Sequence, residues 1–310
     1  MATRLSLGYT KPGFINLMAF PLRPLAGVTG GARGIGSAYV SALLAKGFVV
    51  AIFDCDGAAQ AAAALGGSSA GVTGWACDVA DARSFRAAFD QALAWSGRDS
   101  FRVFVCNAGV LGTLFAQAER IVAVNLLGAI RGAEMAIKQA TASLTKRAEL
   151  DVIITASTNG LVPADSDLAP VYVATKFGIV GFVRSLQPLA SRYGVRVNAI
   201  APVTVDTPMV AGLIPPEVGR YLETGGRGGV MPPSSCAAAL LHIMGDSSLA
   251  GEVVVVHPDA PGGHGFAVEP LVCSQWLGEW RESESAEVAT FVDDGLKAVA
   301  DGSLSGWSGV

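Results

Sequence analysis

Asn125, Ser157, Tyr172 and Lys176 are the side chains in the middle of this chain whose types and spacing suit proton chemistry. Tyr172 and Lys176 fall four residues apart in Tyr172-Val173-Ala174-Thr175-Lys176, within a run that reads as a helix from Pro170 to Arg192. That spacing sets both side chains on one helix face. A free tyrosine, with a pKa near ~10, is a poor base at neutral pH. A neighbouring ammonium favours the phenolate and is expected to lower that value. Such a pair can take a proton from an alcohol or return one to an alkoxide. Alone, Tyr-x-x-x-Lys is a weak pattern that an ordinary amphipathic helix also carries.

Ser157 follows the apolar run Asp151–Ala156. It therefore stands at the carboxyl end of a strand, where open α/β sheets bind their ligands. Its hydroxyl can bond a substrate oxygen and share developing charge. Thr155 and Thr158 flank it, so a plain polar strand end is the competing reading. Asn125 interrupts the apolar segment Ile121–Leu127. Asparagine is a poor helix residue unless its side chain bonds something, and a simple interhelical bond would also account for it.

Nearer the start, Thr29-Gly30-Gly31-Ala32-Arg33-Gly34-Ile35-Gly36 lies between a short apolar run, Leu25–Thr29, and an amphipathic one, Gly34–Lys46. A strand, a glycine-rich turn and a helix N-terminus form a phosphate-binding element: backbone N–H groups face the anion and glycine permits close approach. The spacing is Gly30-x-x-x-Gly34-x-Gly36 rather than Gly-x-Gly-x-x-Gly. Asp54 ends the next apolar run, Phe48–Asp54. A carboxylate there accepts both hydroxyls of an adenosine ribose and repels a 2′-phosphate, which favours NAD over NADP. Asp56 adds to that repulsion, and Arg33 opposes it.

These groups need a frame, and the chain supplies one. Strand-like runs at 25–29, 48–54, 72–76, 101–106, 151–156, 195–200 and 252–257 alternate with helical patterns. The helical patterns include 34–46, 58–65, 81–95 (capped by Asp81), one within 115–139, 170–192 and 235–244. The strands are continuously apolar, as in a sheet covered on both faces. The expected fold is α/β: a Rossmann-type, doubly wound, mainly parallel seven-stranded sheet with helices on both faces. Residues 22–258 are expected to form this domain, with a lid over about 207–223. Residues 1–21 and 259–310 lie outside the pattern. The C-terminal piece carries Trp276, Trp280 and Trp307 beside the acidic run Glu282–Glu287, and is expected to pack on the domain or on a partner subunit.

The 310 residues, 51% hydrophobic and 15% charged, are enough for one large α/β domain. A net charge of −4 argues against a nucleic-acid partner. No stretch reaches the roughly 18 uncharged apolar residues of a membrane span. Cys55, Cys77, Cys106, Cys236 and Cys273 are scattered and the three histidines isolated, so free thiols in a reducing compartment and no metal site are expected. A cytoplasmic location follows. Residues 1–53 carry Arg4, Lys11, Arg23, Arg33 and Lys46 without an acidic residue, which leaves an organelle transit peptide as the alternative.

Taken together, Thr29-Gly30-x-x-x-Gly34-x-Gly36, Asp78-Val79, Asn107-Ala108-Gly109, Asn125, Ser157, Tyr172-x-x-x-Lys176 and Asn198-Ala199-x-x-Pro202 resemble, in order and spacing, the short-chain dehydrogenase/reductase family. The resemblance covers about residues 22–258. Within it, Ala156–Pro163 and Pro170–Ser185 look most like the NAD-dependent 15-hydroxyprostaglandin dehydrogenase branch.

The resemblance implies a nicotinamide oxidoreductase with Ser157, Tyr172, Lys176 and Asn125 as its catalytic set. Asn125 would hold a water beside the lysine. Gly30, Arg33, Gly34, Ile35, Gly36 and Asp54 would hold the dinucleotide. Asp78 and Val79 would flank the adenine, and Asn107, Ala108 and Gly109 would line the cofactor floor. Pro202, Val205 and Thr207 would hold the carboxamide, while Tyr172 and Lys176 would border the nicotinamide ribose.

Two departures stand out: Pro202-Val203 replaces the family's Pro-Gly, and Gly27 sits in the first strand where a β-branched residue would fit better. The residue types in Leu161–Leu168 and Met209–Leu222 point to a hydrophobic alcohol or ketone. An NADPH-dependent biosynthetic ketoreductase and a repurposed scaffold without redox turnover are the alternatives. The apolar helices 115–139 and 170–192, paired in the family across a two-fold axis, imply a homodimer or homotetramer.

Overall fold

The structure, a computed structural model, describes residues 23–112, 115–142, 147–162, 169–211, 230–257 and 267–270. Strand β1 (Leu25–Thr29) passes through the glycine turn into α1 (Gly34–Ala45) and β2 (Val49–Asp54). Helices α2 (Ala58–Ala64) and α3 (Gly67–Ala70) precede β3 (Val72–Ala76), and α4 (Ala82–Ser96) precedes β4 (Val103–Cys106). Next come α5 (Ala118–Val122), a π-helical turn (Ala123–Gly128) and α6 (Ala129–Thr141), without a gap, and then β5 (Leu150–Thr155). After α7 (Pro170–Ser185) and α8 (Leu189–Tyr193) follow β6 (Val195–Pro202), α9 (Pro208–Ala211), α10 (Pro233–Gly245), β7 (Val253–His257) and β8 (Ala267–Pro270).

The strands lie in the order β3-β2-β1-β4-β5-β6-β7-β8. The first seven pair in parallel, as the continuous apolar runs predict. Strand β8 goes beyond that expectation: it runs antiparallel to β7, with Val254 opposite Pro270 and His257 opposite Ala267.

Alternate strand residues feed two separate buried clusters. Leu25, Val152 and Ile154 face α4, α6 and α7 with Phe85, Phe89, Ala133 and Ile179. Ala26 and Ile153 face α1 and α10 with Tyr39, Leu43, Leu240 and Ile243. Each strand is therefore apolar on both faces over most of its length.

Gly27 corrects a sequence expectation. A Cβ there would come within 2.7 Å of the Phe104 ring and 2.9 Å of Phe101. Phe53, Phe85, Phe89, Phe101 and Phe104 pack together at this point, with centroids as close as 4.9 Å. A β-branched residue would overfill it. The helix expected over 170–192 is also divided, at Leu186–Pro188. Pro188 lacks the N–H a continuing helix needs and disfavours helical backbone at Gln187.

Asp81 caps α4 as expected, its Oδ1 accepting from the N–H groups of Arg83 (2.8 Å) and Ser84 (3.4 Å). The expected N-terminal extension, most of the 207–223 lid, and the C-terminal extension apart from β8 lie outside the described residues.

Candidate active site

The strand order reverses between β1 and β4, and the carboxyl ends of β1, β2, β4, β5 and β6 meet there. That crevice is where a doubly wound sheet binds a dinucleotide. Thr29 ends β1 and fastens it to β4: its Oγ1 accepts from the N–H groups of Asn107 (2.9 Å) and Ala108 (3.0 Å). Asn107 Nδ2 returns bonds to the carbonyls of Thr29 (3.2 Å) and Gly30 (3.1 Å).

Close approach explains the glycines. Gly30 has φ +62°, and a Cβ on it would stand 2.9 Å from the Ala108 Cα. A Cβ on Gly36 would run into the Gly30 carbonyl oxygen. Gly34, at φ +55°, lies beside Thr207, whose Cγ2 would be 3.2 Å from an added Cβ. The glycine turn and Thr207 thus close on one crevice.

The residues present fit a dinucleotide. No side chain caps the start of α1 and no acidic residue lies in its first turn, so its N–H groups are left for an anion. Buried Asp54 faces the turn, its Oδ2 accepting from Ala32 N–H at 3.0 Å and its Oδ1 from Asp56 N–H at 3.2 Å. Arg33 pairs with Asp56 at 3.4 Å, both exposed.

Asp78 and buried Val79 follow the carboxyl end of β3. Arg120 bonds Asp78 at 2.8 Å, and this guanidinium holds the Asp78 carboxyl below the usual carboxylate range. Nothing in the spacing of the chain points to Arg120, which arrives from α5. Val205 is buried and bridges to Met231, Pro202 is buried, and Val203 packs against the α1–α10 cluster. Ile35 packs against the same cluster.

Three of the four proposed reacting groups gather where β5 ends and α7 begins, and Asn125 meets α7 through Thr175. Ser157 is buried, and its Oγ accepts from Asn159 N–H at 3.2 Å. Half-buried Tyr172 shares a side-chain hydrogen bond with Ser157, which lowers its pKa, but burial outweighs this and raises it above the ordinary value. That reverses the sequence expectation of a lowered phenol.

Lys176 is bonded to the backbone nearby. Its Nζ donates to the Thr155 carbonyl at 2.7 Å and lies 5.4 Å from the Tyr172 ring centroid. Burial pulls its own pKa down to about 8. Asn125 is also engaged: its amide clamps Val110, accepting from its N–H and donating to its carbonyl, each at 2.8 Å. Asn125 Nδ2 also approaches Thr175 Oγ1 at 3.5 Å. The asparagine sits in the π-helical turn, a distortion frequent at functional sites. Gly109 lies alongside, its would-be Cβ 3.6 Å from Asn125 Oδ1.

The model of the short chain dehydrogenase family matches residues 24–217, well over half of the chain. The chain belongs to the short-chain dehydrogenase family. It is similar to the Homo sapiens 15-hydroxyprostaglandin dehydrogenase [NAD(+)], with 33% identity over 244 residues, 74% of this chain and 89% of that protein. It is similar also to D-threitol dehydrogenase of Mycolicibacterium smegmatis, 33% identical over 241 residues, covering 71% and 85% of the two chains. A 3-ketoacyl-(acyl-carrier-protein) reductase from Brucella melitensis, solved with NADH, shares the fold with TM-score 0.67 and 24% identity, covering 78% of this chain and 98% of that one.

This short-chain dehydrogenase is therefore a nicotinamide-dependent oxidoreductase acting on CH–OH groups. Thr155 and Thr175 escaped the sequence reading as site residues. Thr175 Oγ1 donates to the Tyr172 carbonyl at 2.6 Å while facing Asn125. A threonine next to a lysine, or two residues before a serine, carries no distinguishing pattern of its own.

Proposed function

We propose that the protein moves hydride between NAD(H) and a hydrophobic secondary alcohol or its ketone, with Tyr172 as the acid–base. The observation that carries this reading is the grouping of Ser157, Tyr172 and Lys176 beside a glycine turn whose strand-end partner is a carboxylate, Asp54. The dinucleotide, when bound, supplies the hydride or accepts it. The α1 N-terminus would hold its phosphates, Asp54 its adenosine ribose, Asp78 and Val79 its adenine, and Thr207 its nicotinamide end. Ser157 would bond the substrate oxygen. Tyr172 would give that oxygen a proton in reduction and take it in oxidation, and the Lys176 ammonium would stabilise the phenolate left behind. Exposed Val162 and Met209 beside this edge suit an apolar substrate.

NAD is the favoured cofactor because Asp54 is fixed at the turn and Arg33 is drawn to Asp56. The purified protein should bind NADH at least tenfold more tightly than NADPH, and Asp54→Ala should narrow the gap. Fluorescence titration with both cofactors checks this. Equal affinities would give Arg33, not Asp54, control of the preference. A second reading, an NADPH-dependent ketoreductase, draws on Arg33 and on a Tyr172 phenol that keeps its proton for donation; the same titration separates the two.

Assembly and location belong to the same proposal. Leu127 in the π-helical turn and Phe177 on α7 are exposed on neighbouring helices, and an apolar face of this kind suits a second copy of the chain. Light scattering at micromolar concentration should return the mass of a dimer or tetramer; a monomer mass would remove this part of the reading. Among the described residues no helix is long and apolar enough to cross a membrane. We place the protein in the cytoplasm on the sequence grounds above.

A further inference from the structure

We infer that Thr155 is a positioning residue for Lys176, tying the ammonium of the reacting site to the glycine turn of the cofactor site. The inference rests on the proposed role of Lys176. A continuous path of hydrogen bonds carries it. Gly30 and Thr29 carbonyls accept from Asn107 Nδ2 at 3.1 and 3.2 Å. Asn107 Oδ1 accepts from Thr155 Oγ1 at 3.1 Å. The Thr155 carbonyl, on the same residue, accepts from Lys176 Nζ at 2.7 Å.

Tyr39 enters from α1, its hydroxyl 3.4 Å from Thr155 Oγ1. The threonine proton is already given to Asn107, so Tyr39 is the donor in that contact. Tyr39, Thr155 and Lys176 are all buried. In such surroundings each bond is stronger than in water, and a lost partner costs more.

The chemical consequence follows from where the ammonium stands. Lys176 is held by the strand β5 backbone, with its Nζ over the Tyr172 ring, 5.4 Å from the centroid. The Thr155 carbonyl thus keeps this buried ammonium charged and in place beside Tyr172. How firmly that carbonyl is held decides how readily Lys176 can serve the tyrosine. Its peptide is held through the Thr155 hydroxyl by Asn107, and so by the turn that would grip the dinucleotide. A hydroxyl at residue 155 is therefore required by the chemistry as well as by the fold.

Thr155→Val keeps the carbonyl and nearly the shape but removes the hydroxyl. A loosened acceptor stabilises the ammonium less, so the pKa of Lys176 falls further. The alkaline limb of the kcat profile, where the ammonium is lost, should move to lower pH by roughly half a unit, the size one weakened hydrogen bond supports. At pH 8 kcat should fall about twofold, the loss a half-unit shift of a group near 8 produces, with KM for substrate little changed. NADH affinity, titrated by fluorescence without substrate, should weaken less than threefold. Thr155→Ser should restore both the limb and kcat. Thr155→Cys, close in volume, is read in the same way if the valine variant does not fold.

An unchanged limb in a folded variant, with kcat and KM near their normal values, overturns the inference. So does a serine variant no better than valine, which would make the residue purely structural. Lys176→Met is measured beside them. If it keeps normal turnover, the catalytic reading itself fails. If it is inactive while Thr155→Val is normal, only the inference falls.

Discussion

Tyr172→Phe should lower turnover by ~10²–10⁴, the contribution of a positioned general acid–base, and leave folding intact. The substitution deletes one hydroxyl from a half-buried ring, and that hydroxyl meets Ser157, whose Oγ retains its bond from Asn159 N–H. Little else is lost, so circular dichroism and NADH affinity should match the parent. Steady-state kinetics with a panel of hydrophobic ketones and alcohols would measure the fall. A folded variant with turnover within a few-fold of normal would take Tyr172 out of the mechanism.

The pH dependence supplies a sign for the same test. Burial brings Lys176 down to about 8, so below that pH it carries its charge and above it the charge is lost. Tyr172, raised by burial, keeps its proton through neutral pH. Carbonyl reduction should therefore hold steady below pH 8 and decline as pH rises through about 8, where the phenolate left by proton transfer loses its counter-charge. The residual activity of Tyr172→Phe should not show that decline.

Much of this arrangement is legible in the chain, and the reason is periodicity. Seven parallel strands follow from seven apolar runs, because a strand buried on both faces is apolar over most of its length, as Leu25 and Ala26 show by entering opposite clusters. The cofactor turn is legible because only glycine tolerates the backbone approach at Gly30 and Gly36. What escapes is whatever depends on a partner distant in sequence. Gly27 looks like a weak strand residue until Phe101 and Phe104 fill its space. Asn125 stands out as a residue that must bond something, but that its amide meets the Val110 backbone depends on a segment fifteen residues away. Tyr172 and Lys176 are placed by their spacing, but burial shifts the pKa of both, and helical spacing is blind to burial. The edge strand Ala267–Pro270 is missed because it is short and follows a long connection.

Asp151 is the most instructive omission, and replacing it should cost about 3 kcal/mol or more of stability. In sequence it is one carboxylate at the start of an apolar strand, and it sits at the amino edge of the sheet, away from the crevice. Its side chain is 3% exposed and lies between two guanidinium groups, Arg196 at 2.8 Å and Arg102 at 3.0 Å. Arg196 stands opposite it in the β5–β6 register and also donates to the carbonyls of Ile243, Asp246 and Leu249. Asp151→Ala would leave Arg196, 13% exposed, without its counter-charge. Removing one partner of a buried pair costs roughly 3–5 kcal/mol. Arg102 reaches solvent and Glu149, and Arg196 keeps its carbonyls, so the low end of that range applies. Glu149→Ala is the control: its side chain is 82% exposed and its pairing with Arg102 is 3.7 Å long. An exposed pair contributes at most about 1 kcal/mol. Urea denaturation at fixed protein concentration should separate the two variants by midpoint with the slope unchanged. NADH affinity of folded Asp151→Ala should equal that of the parent, because the ion cluster and the dinucleotide crevice lie at opposite ends of the strands. Equal midpoints for the two variants would mean that Arg196 is satisfied by its carbonyls alone and that the carboxylate contributes nothing to the fold.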